Sequence, residues 1–153
     1  MIFEDVETCG RHGMIVLIQY AIDDGEIVMH SPWTEPVSTT LELITMFVEH
    51  PEGVCGFNLT FDWFHLCKMY TIFELFLRDF GPDAYPVDYI EEIALLEPIA
   101  RDGPCLKPQK ALDLMLHARK GPYQSMMNRA DIRIRKVPTQ LALPLAKELG
   151  RRI

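Results

Sequence analysis

The chain has 153 residues, 48% of them hydrophobic, and a formal net charge of −7. This length and composition predict one globular domain with a sizeable core and exclude a disordered protein. No apolar run approaches the ~18 residues of a membrane span. The first residues also lack the basic and apolar regions of a secretory signal, so we expect a cytoplasmic protein without a membrane partner.

The charges are distributed unevenly along the chain. Residues 1–100 hold 18 acidic and 3 basic side chains, whereas residues 101–153 hold 4 acidic and 12 basic ones. An acidic half is suited to cations and a basic half to polyanions such as nucleic acid, although the two halves also offset each other on a folded surface. None of the four cysteines forms a C-x-x-C pair, so we expect free thiols.

The first half of the chain predicts three strands and a helix. Residues 1–7 and the β-branched segment 13–22 are typical of strands. Asp24-Gly25 predicts a hairpin turn, with 26–30 as the returning strand. Residues 39–50 space their apolar side chains along one helix face.

The second half alternates between strands and helices. We predict a short strand, a long helix opened by Asn58 and closed near Gly81, a helix, a strand and a final helix; these cover residues 53–57, 58–81, 88–97, 111–119 and 139–153, respectively. A strand meander followed by alternating helices predicts an α/β protein with a mixed sheet of about five strands and helices on both faces.

Two carboxylates mark the first strand. In "FEDVETCG", Asp5 and Glu7 stand two residues apart, so their side chains project from the same face of the strand. Neighbouring ionised carboxylates repel unless a cation lies between them or one is protonated. A hard divalent cation such as magnesium would relieve the repulsion. Taken alone, the pair also fits a solvated strand end.

A third carboxylate follows the fourth predicted strand. "GFNLTFDWFHL" ends that strand and opens the long helix, with Asn58 and Asp62 four residues apart. Asp62 lies near the helix start, where the helix dipole favours negative charge. It is also surrounded in sequence by large apolar residues, and a buried carboxylate is costly without a partner. A metal shared with Asp5 and Glu7 would be such a partner.

These two motifs resemble the first two motifs of DEDD-type 3′–5′ exonucleases, which include the proofreading domains of family A DNA polymerases. The order of strands and helices is also similar to their ribonuclease H-like fold. "ALDLMLHAR" resembles a later strand of such domains, where an Asp commonly stands, and "LPLAKELG" resembles the helix that follows it.

The resemblance implies roles for six residues. Asp5, Glu7 and Asp62 would be catalytic ligands of two Mg²⁺ or Mn²⁺ ions that hydrolyse phosphodiester bonds at DNA 3′ ends. The nucleic-acid-binding residues would be Thr8, beside the terminal 3′ hydroxyl, Asn58, which places the same end, and Phe61, against a base or sugar. Implied partners are single-stranded DNA or a DNA 3′ end, and a polymerase domain or replication protein.

The third motif of this family, a Tyr or His followed by Asp on a late helix, has no match after residue 62. Tyr20 and Asp24 have the Y-x-x-x-D spacing of this motif but lie in the early hairpin. We therefore expect a single exonuclease-like domain over residues 1–153 that is truncated at its C-terminus, with weak or no activity by itself.

Two other functions remain open. One is a catalytically inactive nucleic-acid-binding or assembly module of the same fold, whose basic segment 119–136 would contact the phosphates of a nucleic acid backbone. The other is a different ribonuclease H-like nuclease, such as a junction resolvase.

Overall fold

The computed structural model describes residues 1–118. Their chain order is β1 (Ile2–Thr8), β2 (Ile15–Ile22), β3 (Val28–His30), α1 (Val37–Glu49), β4 (Val54–Gly56), α2 (Leu59–Phe80), a short 3-10 turn (Pro86–Tyr89), α3 (Ile90–Ala100), β5 (Ala111–Asp113) and α4 (Leu114–Ala118). The α/β class with a mixed five-stranded sheet is confirmed. The predicted helix at 139–153 and the basic segment at 119–136 lie outside the described residues.

The strands form one sheet in the order β3-β2-β1-β4-β5. β2 is antiparallel to both β1 and β3, whereas β4 is parallel to β1 and β5 is parallel to β4. The parallel pairings join strands separated by helices, as crossover connections require. β1 is therefore a central strand, and the start of α2 follows directly from the strand beside it.

One face of the sheet packs on the helices. Inward residues of β1, β2 and β4 share a hydrophobic core with α1, α2 and α3; representative members are Ile2, Val6, Ile18, Val54, Phe47, Phe73 and Ile93. On β1, buried and exposed side chains alternate from Ile2 to Glu7, so Phe3, Asp5 and Glu7 lie on the opposite, exposed face. Helices on both faces stay a prediction, because only this packed face is established for the described part.

Local sequence signals account for several boundaries. α1 ends at Glu49, ahead of Pro51, which disfavours helix at the residue before it. α2 ends at Phe80, and Gly81 adopts φ 85° while its N–H donates to the Leu77 carbonyl. A glycine in the positive-φ region is a common helix stop because it has no Cβ to clash.

The interpretation of 111–119 as a single strand is wrong in part. Only Ala111–Asp113 pairs with β4, and a helix begins at Leu114. A short apolar run is compatible with both the helix and the strand periodicity, so its sequence does not decide between them. The length of the neighbouring strand then limits the pairing, and β4 is only three residues long. The returning strand of the first hairpin is likewise shorter than predicted, beginning at Val28.

Met1–Leu114 forms one compact unit, and the residues from Met115 onward are grouped as a second. The single domain predicted over residues 1–153 stays a prediction. No helix within residues 1–118 is long and apolar enough to cross a membrane. The four cysteines, Cys9, Cys55, Cys67 and Cys105, are free thiols.

Candidate functional site

Asp62 is the central residue of the candidate site. It lies in the first turn of α2 and is only 4% exposed. Burial, followed by the charges of Asp5, Asp113 and Glu7 in that order, raises the pKa of Asp62 to about 7. The charges of Asp5 and Glu7 therefore act on Asp62, but within residues 1–118 the three side chains are not gathered into a set that could hold a metal.

Asp5 and Glu7 reach this region from the exposed face of β1. β4 pairs with β1 only at Ile2 and Phe3, so the later part of β1 has no β4 partner at its side. The chain turns there into α2, whose first turn carries Asp62. This departure of α2 from the sheet explains how residues on an exposed strand face and a buried helix residue can influence each other.

Glu4 is a fourth carboxylate that the sequence motifs did not single out. It lies on the packed face of β1, between Ile2 and Val6, and is 5% exposed. Burial raises its pKa to about 8, and the charges of Asp62 and then Asp5 contribute. The alternation of β1 contains the signal that could have found it, because Glu4 occupies a position shared with core residues.

Several carboxylate oxygens in the site lack a hydrogen-bonding partner. Among residues 1–118, none donates to either carboxylate oxygen of Glu4 or to Oδ2 of Asp62. Buried polar atoms are usually satisfied, so such oxygens call for a ligand or a proton. Within the same residues, no three His, Cys, Asp or Glu side chains are gathered into a set that could hold a metal.

Asp113 joins the site from the end of β5. Its Oδ1 accepts a hydrogen bond from the backbone N–H of Asn58 at 3.0 Å. The sequence placed an Asp on this strand but gave it no role. Parallel strands end at the same edge of a sheet, and the register of Gly56 with Asp113 brings this carboxylate beside the start of α2.

Asn58 is the N-cap residue of α2, as predicted, but it does not cap the helix through its side chain. Its backbone is left-handed, with φ 61° and ψ 43°, and its side chain makes no capping hydrogen bond. Capping side chains normally extend from a residue in the β region. The exposed amide of Asn58 is therefore not used by the helix and is open to a ligand.

Thr8 and Phe61 flank the carboxylates. The Thr8 hydroxyl donates to the Gly10 carbonyl at 2.7 Å, so its oxygen retains acceptor capacity for an incoming hydroxyl. Phe61 is half-buried and meets the ring of His65 edge-on, with 4.6 Å between ring centroids. Two other aromatic residues near the start of α2, Phe57 and Phe64, are more than half exposed.

The turn between β1 and β2 is tied to α2. Lys68 Nζ donates to the carbonyls of His12 and Gly13 and also pairs with Glu97 of α3 at 3.4 Å. His65 is buried on the same helix, and burial followed by the Lys68 charge lowers its pKa. These contacts hold the turn that follows Thr8 against the helix that carries Asp62.

No protein family, no curated protein and no solved structure matched this chain in our comparisons.

Proposed function

We propose that this protein is a two-metal-dependent 3′–5′ exonuclease with a ribonuclease H-like fold, acting on DNA 3′ ends. Support comes from the "DVET" and "NLTFD" motifs and from the element order: three antiparallel strands, a helix, a parallel strand and a long helix. The observation that carries the proposal is Asp62, a buried carboxylate whose pKa is raised first by burial and then by the charges of Asp5, Asp113 and Glu7.

The chemistry of the individual side chains supports a divalent cation, although no three of them are gathered around one point within residues 1–118. Asp62 is buried, Oδ2 receives no hydrogen bond from residues 1–118, and Asp5 and Glu7 are near enough for their charges to act on it. Carboxylate oxygens are the ligands that Mg²⁺ and Mn²⁺ prefer. Asp5, Glu7 and Asp62 would hold the ions. Bound ions would supply a hydroxide near neutral pH and stabilise the leaving 3′ oxygen.

The neighbouring residues would position the DNA end. Thr8 can accept a hydrogen bond from the terminal 3′ hydroxyl, because its own proton is donated to Gly10. Asn58 offers a side-chain amide that the helix does not use. Phe61 presents a half-buried ring at the start of α2 for contact with a base or sugar. These three side chains belong to the segments that carry the carboxylates.

Hydrolysis of a single-stranded DNA oligonucleotide labelled at its 5′ end tests the proposal. With Mg²⁺ or Mn²⁺ and a high protein concentration, we expect slow shortening from the 3′ end. Substituting a residue that only supports a metal ligand typically lowers metal affinity or activity about 10- to 100-fold. Substituting a ligand itself, as in Asp62→Asn and Asp5→Ala, should therefore reduce the rate of hydrolysis by at least about 100-fold. Asp83→Asn, at an exposed position away from the motifs, serves as the matched control.

The same assay separates the other candidates. Cleavage of closed circular DNA would favour a resolvase-like nuclease over an exonuclease. Salt-sensitive binding of the oligonucleotide without metal and without hydrolysis would favour the inactive binding module. Hydrolysis that is unchanged in Asp62→Asn would contradict the proposed site.

A further inference from the structure

Glu4 occupies a position where the fold would ordinarily place an apolar residue. Its neighbours on the packed face of β1, Ile2 and Val6, belong to the hydrophobic core. Replacing water around a carboxylate by such surroundings costs several kcal/mol unless a hydrogen bond or an opposite charge compensates. A structural role in packing therefore does not account for the acidic side chain.

The end of β4 leaves space for this carboxylate. A Cβ added at Gly56 would lie 3.3 Å from Oε1 of Glu4, 3.1 Å from the Glu4 backbone oxygen and 3.2 Å from Cδ1 of Leu59. Any side chain at residue 56 would thus press on Glu4 and on the first residue of α2. The glycine allows the Glu4 carboxylate to lie where β4 passes into α2, one helical turn before Asp62.

No cation of the described protein neutralises this pair of acids. Both oxygens of Glu4 and Oδ2 of Asp62 are without hydrogen-bonding partners among residues 1–118. Lys68, which is buried in the same helix as Asp62, forms its described bonds with the His12 and Gly13 carbonyls and with Glu97. Two buried acids whose charges act on each other, with oxygens that have no hydrogen-bonding partner among residues 1–118, provide oxygen ligands for a cation from solution.

We propose that Glu4 binds a divalent cation directly, together with Asp62, from the packed side of β1. This inference rests on the cation chemistry of the proposed function and adds a ligand that lies outside the Asp5-x-Glu7 motif. Magnesium is usually held by one or two carboxylates and retains several waters. Two buried acids therefore suffice for such a site, even though residues 1–118 contain no gathered set of three ligands.

Binding of Mn²⁺ to the full 153-residue chain, followed by electron paramagnetic resonance and by calorimetry, tests this inference. Glu4→Gln keeps the shape of the side chain and removes its charge. We expect it to weaken Mn²⁺ binding at least about tenfold, equivalent to about 1.4 kcal/mol. Glu42→Gln, the same substitution at an exposed position on α1, should bind as the wild type does. Circular dichroism establishes that each variant is folded.

A second substitution guards against a nonspecific effect of the change at residue 4. Glu4→Asp keeps the charge but shortens the side chain, so we expect intermediate affinity for Mn²⁺. Unchanged affinity in a folded Glu4→Gln protein would overturn the inference, and so would a wild-type chain that binds no Mn²⁺. Mn²⁺ binding that depends on Glu4, together with hydrolysis that is unchanged in Asp5→Ala, would retain this ligand and reject the proposed exonuclease site. DNA hydrolysis together with Mn²⁺ binding that does not depend on Glu4 would support the exonuclease and reject Glu4 as a ligand.

Discussion

In metal-free buffer, Glu4→Gln should stabilise the protein by an amount that increases with pH. Burial, with the charges of Asp62 and Asp5, raises the pKa of Glu4 from 4.5 to about 8. The folded protein therefore retains a proton on Glu4 that the unfolded chain releases. Stability from this group is fully present below the unfolded pKa and is lost as the pH rises through the folded pKa. Glutamine resembles the protonated acid and does not titrate.

The size of the effect follows from the two pKa values of Glu4. At about 1.4 kcal/mol per pKa unit, the interval from 4.5 to about 8 corresponds to a loss on the order of 5 kcal/mol. Asp62 titrates in the same range and shares the repulsion, so we assign about 2–4 kcal/mol to Glu4. This is a large part of the 5–15 kcal/mol that typically stabilises a domain.

Urea denaturation in the presence of a chelator, at about pH 5 and about pH 8.5, measures the difference between the variants. Glu4→Gln should match the wild type within about 1 kcal/mol at the lower pH and exceed it by about 2–4 kcal/mol at the higher pH. Comparing variants at the same pH cancels the contributions of His30 and His65, whose pKa values burial lowers. Glu42→Gln should show no such trend. A pH-independent difference for Glu4→Gln would refute the reasoning.

Three further substitutions test the surroundings of the site. Asn58→Gly should leave stability almost unchanged, because Asn58 has φ 61°, whereas Asn58→Ala should cost about 1–2 kcal/mol in thermal or chemical denaturation; equal losses would argue against the left-handed start of α2. Gly56→Ala should destabilise by about 1–3 kcal/mol, because its methyl group would crowd Glu4; a neutral result would mean that this space is not tightly filled. Lys68→Met should lower the free energy of unfolding by about 1–3 kcal/mol and accelerate hydrogen exchange in the β1–β2 turn that Lys68 contacts. Glu97→Gln should have a smaller effect on both, because Glu97 is 28% exposed. Unchanged hydrogen exchange in Lys68→Met would contradict the proposed restraint.

Elements with strong local signals were predictable from the sequence. α2 was found nearly to its ends because Gly81 provides a helix stop and the apolar spacing runs through more than twenty residues. β1 was predicted over residues 1–7 as a short strand, and the structure gives Ile2–Thr8. The predicted ranges of the short strands β3 and β5 were too long, because pairing with neighbouring strands rather than intrinsic propensity determines where these three-residue strands end.

The candidate site was only partly predictable. Asp62 and its proximity to Asp5 follow from motif spacing, but the motif directed attention to one face of β1 and away from Glu4 on the other. The role of Asp113 depends on the pairing of β5 with β4, a contact between residues more than fifty positions apart. The left-handed backbone of Asn58 is compatible with its residue type, because Asn adopts this region more readily than most residues, but its bond to Asp113 depends on the long-range pairing.

The hydrogen bond from Asn58 to Asp113 has a consequence for how the domain assembles. It joins residues 55 positions apart, so the helix that carries Asp62 can form its later turns locally, whereas its N-cap residue gains this hydrogen bond only when β5 pairs with β4. Contacts over such sequence separations form late because closing the intervening loop costs entropy. Nascent chains that end before residue 113 would therefore contain most of the described fold and still lack the hydrogen bond that fixes the start of the helix carrying Asp62.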